Sequence, residues 1–403
     1  MLRFLTMSLF LLLQLYVMAG RQNLIETQLS DYGPIDEETI AQTLVKAIAD
    51  VNGKCLVLPP IKIDTENIII EGKSHFAIVG NGVEPLFCKQ FKIANCHDFD
   101  LSYLYIKGTK EKFATFDIVG NCFNFKVHHC LFDSEKGFDG HNTFYGIHII
   151  TDIHSNNPCY ENSPRNFRIF ENEVNNTRYD GILAHAYCSD FVIEKNRIVG
   201  SECIGIEVEG RLGGQKNTTV HPCKMGTIRN NEMKDCGDWS ILLMWTDQVK
   251  VYNNNCFNSN GAFLTIGSTN LIVKNNVFEG RNKGFEISQE YYSVAKGINN
   301  NIVVKGNTIK ARARENYRGV IDVRHARNVM IKKNRIISLY RDKSAYVSLA
   351  SCRRVKIKKN RFSYEEQLLP DILYKTNVTD PETDKDVPEL NLENLTIQRI
   401  SIE

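Results

Sequence analysis

The chain has 403 residues, 42% of them apolar and 24% charged, and 49 Lys and Arg against 47 Asp and Glu leave a formal charge of +2. That balance is ordinary for a soluble protein, and it excludes a chain dominated by charge, whether a nucleic-acid binder or a polyanion. Length alone allows two or three domains.

Residues 1–19 carry one basic residue, Arg3, an apolar run from Leu9 to Val17, and a small-residue site at Val17-Met18-Ala19. This is the pattern of a secretory signal peptide. The apolar core is short for a membrane span, and no Cys follows the cleavage site, so a lipid anchor is not expected. The chain therefore reads as secreted or periplasmic, with no membrane span after cleavage.

Residues 20–54 form an N-terminal segment. Asp36 is a candidate N-cap, and Ile40, Leu44, Val45 and Ile48 recur at helical spacing up to Asn52-Gly53, which predicts a helix of about three turns. Leu56 to Leu58, a turn at Pro59-Pro60, and Ile61 to Ile70 are the first expected strands, so the helix would cover the open end of the strand stack.

From Phe99 onward one phrase recurs: apolar, x, apolar, x, x, Asn, x, apolar. Its cleanest copy is Val355/Ile357/Asn360/Phe362. Val329/Ile331/Asn334/Ile336, Ile302/Val304/Asn307/Ile309 and Phe191/Ile193/Asn196/Ile198 repeat it, and eight Asn share the register: Asn172, Asn196, Asn231, Asn254, Asn276, Asn307, Asn334 and Asn360. In the copy at Ile228/Asn231/Met233 the first apolar position is lost to Gly226. Period two within a copy means a strand with one buried face, and recurrence every 22 to 35 residues or so means one unit stacked many times.

Each copy is followed by a second alternating run, such as GIHI, GILA, GIEV or GFEI. With three short strands per coil, the Asn side chains fall at one turn and stack about 4.8 Å apart. There each amide satisfies its neighbours' polar groups. The fold class is all-β: a right-handed parallel β-helix of about 11–12 coils with an N-terminal capping helix. The β-helix spans 55–362, and 363–403 reads as a polar excursion and a terminal coil.

Twelve Cys in an exported chain invite disulfides. Cys96, Cys122, Cys188, Cys223 and Cys352, however, all lie eight residues before the Asn or its equivalent, in a slot that Thr246, Ser268 and Ala326 also fill. The slot selects a small inward side chain, and oxidation of the adjacent pairs Cys96 with Cys122 and Cys188 with Cys223 is the alternative. Cys159 is the expected exposed thiol.

The Asp- and Thr-containing helix, the strand ending in Pro59-Pro60 and the solenoid after it resemble the pectate-lyase-like superfamily. That fold serves lyases, hydrolases, epimerases and phage tailspikes, so the resemblance implies architecture rather than one reaction.

Extra residues collect around the GIEV-type strands, at 134–143, 151–165, 210–222, 288–299, 311–318 and 338–344, and would wall a groove floored by those strands. Alternation then points two columns outward. One reads His148, Leu183, Glu207, Leu242, Thr265, Glu286, Asp322, Ser348, and the other Ile150, His185, Glu209, Met244, Gly267, Ser288, Arg324, Ala350.

The catalytic candidates are Glu286, Asp322, Glu207, Glu209, His185 and Arg324. Glu286 and Asp322 are expected one strand spacing apart, close enough to share a proton or hold a cation. His185 beside Glu209 pairs an imidazole with a carboxylate. Glu207 and Glu209, roughly 7 Å apart on one face, fall in the range in which carboxylate pairs act on glycosidic bonds.

Substrate-binding candidates are His148, Trp245, Tyr145, Arg312 and Arg314. Trp245 either stacks on a sugar ring or caps the solenoid interior. Lys310, Arg312, Arg314, Arg318, Arg341 and Lys343 either attract an acidic sugar or form a solvated basic loop.

A secreted enzyme cleaving glycosidic bonds of a polysaccharide or oligosaccharide is the expected function. Hydrolysis is preferred, because Arg324 is the only basic groove-strand residue besides the histidines and its place beside two carboxylates suits an ion pair. The alternatives are a polysaccharide lyase, using Arg or Ca²⁺ against a uronate, and a non-catalytic glycan binder. No cofactor is required by hydrolysis, no nucleic-acid partner is implied, and a monomer is expected. The Asn-Thr-Asp and Asp-Asp signatures of polygalacturonases and the Asp-Pro-His of alginate epimerases are missing. Tyr179-Asp180-Gly181 followed by His185 bears a faint similarity to the last.

Overall fold

A computed structural model describes residues 24–109, 115–134, 145–152, 159–210, 220–288, 298–312, 319–339, 345–364, 374–377, 379–380 and 385–386. The proposed signal peptide, Arg314, most of the groove-wall segments and the terminal coil at 392–402 lie outside these residues.

Of the 36 strands among the described residues, 34 belong to one continuous sheet. Each strand pairs in parallel with its counterpart one coil earlier and one coil later. Ile182–His185, for example, lies between Ile147–Ile150 and Ile206–Glu209, with Ile182 opposite Ile147 and Ile206. This is a parallel β-helix, as the repeat predicts.

The inward positions form one core running the length of the solenoid. Its first half is a column of stacked phenylalanines, with ring centroids 5.3 Å apart for Phe76–Phe99, 4.8 Å for Phe99–Phe125, 5.0 Å for Phe125–Phe167 and 5.5 Å for Phe167–Phe191. The column ends where Gly226 pairs with Phe191. A Cβ at Gly226 would sit 2.1 Å from Phe191 Cζ, so the break in the apolar phrase is the space that the last ring fills. Gly226→Leu, which mends the sequence pattern, is expected to destabilise the fold by about 1–3 kcal/mol through overpacking. Chemical denaturation of Gly226→Leu alone and combined with Phe191→Ala checks this, the second change restoring much of the loss.

All eight Asn form the ladder. From Asn196 onward each accepts, at Oδ1, both the backbone N–H and the Nδ2–H of the Asn one coil earlier, while Asn172 Oδ1 accepts the Cys130 N–H; for Asn231 onto Asn254 the distances are 3.0 and 2.9 Å. The same pair of bonds joins Asn172 to Asn196 and Asn334 to Asn360. The residue before each Asn turns the corner in the left-handed region, as at Lys195 (φ 55°), Asn253 (φ 57°), Gly306 (φ 68°) and Lys359 (φ 55°). Asn and Gly adopt that conformation most readily, and the ladder holds the lysines in it. No disulfide joins any of the cysteines among the described residues, and the five in the small-residue slot are buried, which is the packing role expected of them.

The helix covers the first coils but starts later than the Asp36 cap implies. It spans Ile40–Ala49 with Thr39 at the cap position. Asp36 instead closes the preceding turn, accepting from the N–H groups of Glu38 and Thr39 and from the Thr39 hydroxyl. Ile40, Leu44 and Ile48 are buried, whereas Val45 is 57% exposed. The sheet begins before the helix, with Ile25–Gln28 paired to Lys54–Val57. It also continues into the segment read as an excursion, where Tyr374–Asn377 pairs with Val347–Ala350. Among the described residues no helix is long and apolar enough to cross a membrane.

Candidate functional site

The groove-face columns follow the predicted alternation except in one coil. Leu242 pairs with Leu264 and Met244 with Ile266, so these face outward, while Thr265 lies between Leu243 and Ile287 in the core. The assignment of Thr265 and Gly267 to the outward columns is therefore one residue out. The segment Ala262 to Ile266 is apolar on both faces, which removes the alternation that would set its phase.

The candidate residues split into two groups. Glu207 reaches Glu286 only through Leu242 and Leu264, three strand steps of about 4.8 Å each or roughly 14 Å. The intervening coils are not polar. Ile204, Trp239, Leu242, Met244, Trp245 and Ile266 form an apolar cluster on this face. Trp245, 2% exposed and in the left-handed region (φ 47°), belongs to that cluster and presents no ring face to a sugar, so it is not a stacking platform.

The first group sits on Ile147–Ile150, Ile182–His185 and Ile206–Glu209. His185 Nε2 lies 2.7 Å from Glu209 Oε2, and both side chains are buried. One coil earlier, His148 Nδ1 lies 3.0 Å from Asp117 Oδ1, and the two imidazoles meet edge to face with centroids 5.8 Å apart. Each histidine thus spends one ring nitrogen on a carboxylate, which fixes its tautomer. His148 Nε2 and His185 Nδ1 are buried without a hydrogen-bond partner among the described residues.

Asp180, only 4% exposed, completes this group and is absent from the sequence-based candidates. Its Oδ1 accepts the Ile204 N–H at 3.1 Å, and its carboxyl is hydrogen-bonded to Glu207. Burial pushes the Asp180 carboxyl up to about 6, with the bonds to Glu207 and the Ile204 N–H pulling back. Two carboxylates so placed hold one proton between them. The same burial, together with the charges of Asp180 and Glu207, raises the Tyr145 phenol to about 12.

Tyr145 stacks on His148 at 4.6 Å and on Tyr179 at 5.7 Å. Its contribution is to the wall of the acid cluster, and the aromatic surface left to solvent is that of Tyr179, 40% exposed. A signal for Asp180 exists in the sequence. Gly146, Gly181 and Gly205 align through successive backbone bonds, which puts Asp180 in a column between Tyr145 and Ile204. A lone carboxylate in a column of large apolar and aromatic residues needs a partner.

The second group is Glu286, Asp322 and Arg324. Glu286 and Asp322 are opposite one another on adjacent strands, as expected. Arg324 binds Glu286 through Nη2, its Nε lies 3.0 Å from Asp322 Oδ2, and the Ser348 hydroxyl donates to Asp322 Oδ1 at 2.5 Å. Burial raises the Glu286 carboxyl, Arg324 lowers it and Asp322 raises it again. The guanidinium fills the position that a cation between the two acids would take, so this set does not suit Ca²⁺. Arg324→Ala strands two largely buried carboxylates and is expected to cost about 3–5 kcal/mol. Urea denaturation measures this, and a loss below about 1 kcal/mol would show that the triad is not coupled.

Arg312 is exposed, at the end of the strand Thr308–Ala311 that leads toward the groove strand of Asp322. Among the described residues, the one trio with metal-ligand atoms mutually within 4.8 Å is His75, His97 and Asp98, away from the groove strands.

A family model described as a right-handed beta helix region matches residues 214–311. No curated protein sequence matches the chain. Among solved structures, the A-module of the mannuronan C-5 epimerase AlgE6 of Azotobacter vinelandii is similar at 11% identity and a TM-score of 0.60, covering 87% of this chain and 99% of its own. PfbA, a surface adhesin of Streptococcus pneumoniae, is similar at 11% identity and 0.61, over 88% and 93%. DFA-IIIase from Arthrobacter chlorophenolicus is similar at 12% identity and 0.53, over 89% and 88%. The parallel coils, the asparagine ladder and these likenesses together show that the chain has the right-handed parallel β-helix fold.

Proposed function

We propose that the chain is a carbohydrate-active enzyme whose chemistry occurs on the three coils of His148, His185 and Glu207, and that it hydrolyses glycosidic bonds. The observation that carries this reading is the hydrogen bond between two buried carboxyls, Asp180 and Glu207, with burial raising Asp180 to about 6. Such a pair is an acid that keeps its proton up to about pH 6, well above the range of an ordinary carboxyl.

In the proposed reaction the pair gives its proton to the leaving glycosidic oxygen as the C–O bond breaks. Glu209, oriented by His185, takes a proton from the water that attacks the anomeric carbon. Tyr179 offers the exposed ring against which a sugar stacks. Glu286, Asp322 and Arg324 take a structural or subsite role in place of the catalytic one expected of them. Elimination is less well supported, because Arg324, the groove-strand cation it would use against a uronate, is committed to two acids.

The named activity of the epimerase supports a polysaccharide as the substrate class, and the adhesin keeps a non-catalytic glycan binder as the competing reading. Export to the periplasm or medium belongs to the same proposal.

The test is a panel of neutral and uronic polysaccharides, with and without Ca²⁺. New reducing ends are followed alongside the ultraviolet absorbance of unsaturated ends. Reducing ends without unsaturation support hydrolysis. Both signals together mean a lyase, and neither across the panel, with binding retained, means a binder.

A further inference from the structure

The even charge of the whole chain conceals a segregation. Between Ile298 and Tyr364 there are 18 Lys and Arg against three Asp and Glu, a local +15 in a chain of net +2. The coils sort part of this charge into a line. Lys274 pairs with Lys305, Lys305 with Lys332 and Lys332 with Lys358, so four ammonium side chains stand in one column at the end of the second strand of successive coils. Lys333 and Lys359 come next at the turn, in the left-handed region (both φ 55°). Lys305, Lys332, Lys333, Lys358 and Lys359 line a concave site of about 310 Å³. This corner joins the second and third strands of each coil, so it is the corner remote from the groove strands.

None of these five ammonium groups reaches a carboxylate among the described residues, although the ion pairs Lys195–Glu171 and Arg197–Glu173 show how earlier coils neutralise similar corners. Like charges one strand spacing apart oppose pairing, and Lys332 and Lys358 are half-buried, which adds desolvation. A solvated face would mix signs. An unmixed, in-register row is a complement to a regular anion.

We propose that this row is a second binding track, separate from the groove, for a linear acidic polysaccharide bearing carboxylate or sulfate groups. One lysine per coil recurs about every 4.8 Å along the axis, close to the repeat of one pyranose unit in an extended glycan. Duplex nucleic acid presents a charge about every 1.7 Å of axis, which a single row cannot match. Single strands call for stacking aromatics between the cations, and the column holds only Tyr252, at its end, with Lys274 Nζ 5.2 Å from its ring. The track holds polymer that the groove then works on, or tethers the protein to a matrix.

The experiment is binding of the full chain to polygalacturonate, dextran sulfate, neutral dextran and single-stranded oligothymidylate, by affinity electrophoresis and titration calorimetry over a salt series. Its readout is binding, so it stands apart from any activity in the groove. K305Q/K332Q/K358Q is expected to weaken binding of the acidic polymer at least tenfold and to flatten its salt dependence. K46Q/K126Q/K234Q, with the same change in net charge elsewhere, changes it less than twofold. The triple Arg variant at 305, 332 and 358 keeps binding, which separates lost charge from misfolding. Binding of polygalacturonate alone, of dextran sulfate alone or of both identifies the anion. No binding of either acidic polymer, equal loss in the control triple, or tighter binding of oligothymidylate overturns the proposal.

Discussion

Asp180→Asn is expected to lower turnover on a substrate identified by the polysaccharide panel by about 10²–10⁴-fold, the usual weight of a positioned acid, with KM little changed. The change keeps the shape of the side chain and its acceptor for the Ile204 N–H, but removes the proton shared with Glu207. Glu207→Gln should cost a similar factor, and the double variant little more than either alone, because the two carboxyls act as one group.

The pH dependence follows from the same proton. The Asp180 carboxyl titrates at about 6 in the folded chain against 3.8 as an isolated group. Being raised, it stabilises the fold fully below pH 3.8, and that contribution is lost as pH rises through 6. Wild type should therefore lose on the order of 2–3 kcal/mol between pH 4 and 6.5 relative to Asp180→Asn. Wild-type turnover should fall along an alkaline limb beginning near pH 6, and the variant's residual activity should lack that limb. Unfolding at four pH values and a kcat–pH profile measure both. A variant with wild-type turnover, or one whose stability difference is flat with pH, would falsify the assignment.

The fold was legible because its two strongest constraints leave marks on single residues. Eight Asn in one register cannot be accommodated except as a ladder, and apolar positions two apart must face one core. The groove face was harder to read, because its outward positions are free of the core's demands. Leu264 and Ile266 lie over the apolar cluster of Trp239 and Trp245, so the phase around Thr265 could not be inferred from hydrophobicity.

The split of the candidate acids has a simpler origin. Column membership is visible in the sequence, but proximity within a column depends on how many coils intervene, and two separate Glu207 from Glu286. Asp180 and Asp117 were hidden for a different reason. Asp180 lies at the corner before its strand rather than on it, and Asp117 precedes the coils in which the GIEV-type strand is recognisable. The lysine row was invisible to net charge, since the acids that balance it lie elsewhere along the chain.

Asn254→Ala should be among the most damaging single substitutions in the chain. Asn254 is fully buried at the middle of the ladder. Its Oδ1 accepts from the N–H and Nδ2 of Asn231, and its Nδ2 donates to the carbonyls of Ile228 at 3.0 Å and Tyr252 at 3.2 Å and to Asn276 Oδ1 at 3.0 Å. Truncation takes the acceptor from the Asn231 backbone N–H and one donor from the Ile228 carbonyl, in a fully buried site. At roughly 1–3 kcal/mol for each of these two groups, the loss is about 2–6 kcal/mol, a large part of a typical domain's 5–15 kcal/mol.

A solenoid also transmits stability only through neighbouring coils, so a break at Asn254 should split unfolding into two transitions, one for the coils on each side. Asn360→Ala, at the end of the described ladder where Asn334 is the only Asn donating to it, should cost less and leave unfolding in one step. Asn254→Asp separates shape from hydrogen bonding. It keeps the acceptor but sets a buried carboxylate against the Asn276 carbonyl oxygen, so it should be tolerated best at low pH and fail as pH rises. Guanidinium unfolding followed by circular dichroism distinguishes these cases, and an Asn254→Ala variant within 1 kcal/mol of wild type would mean that the ladder records the register of the coils without holding them together.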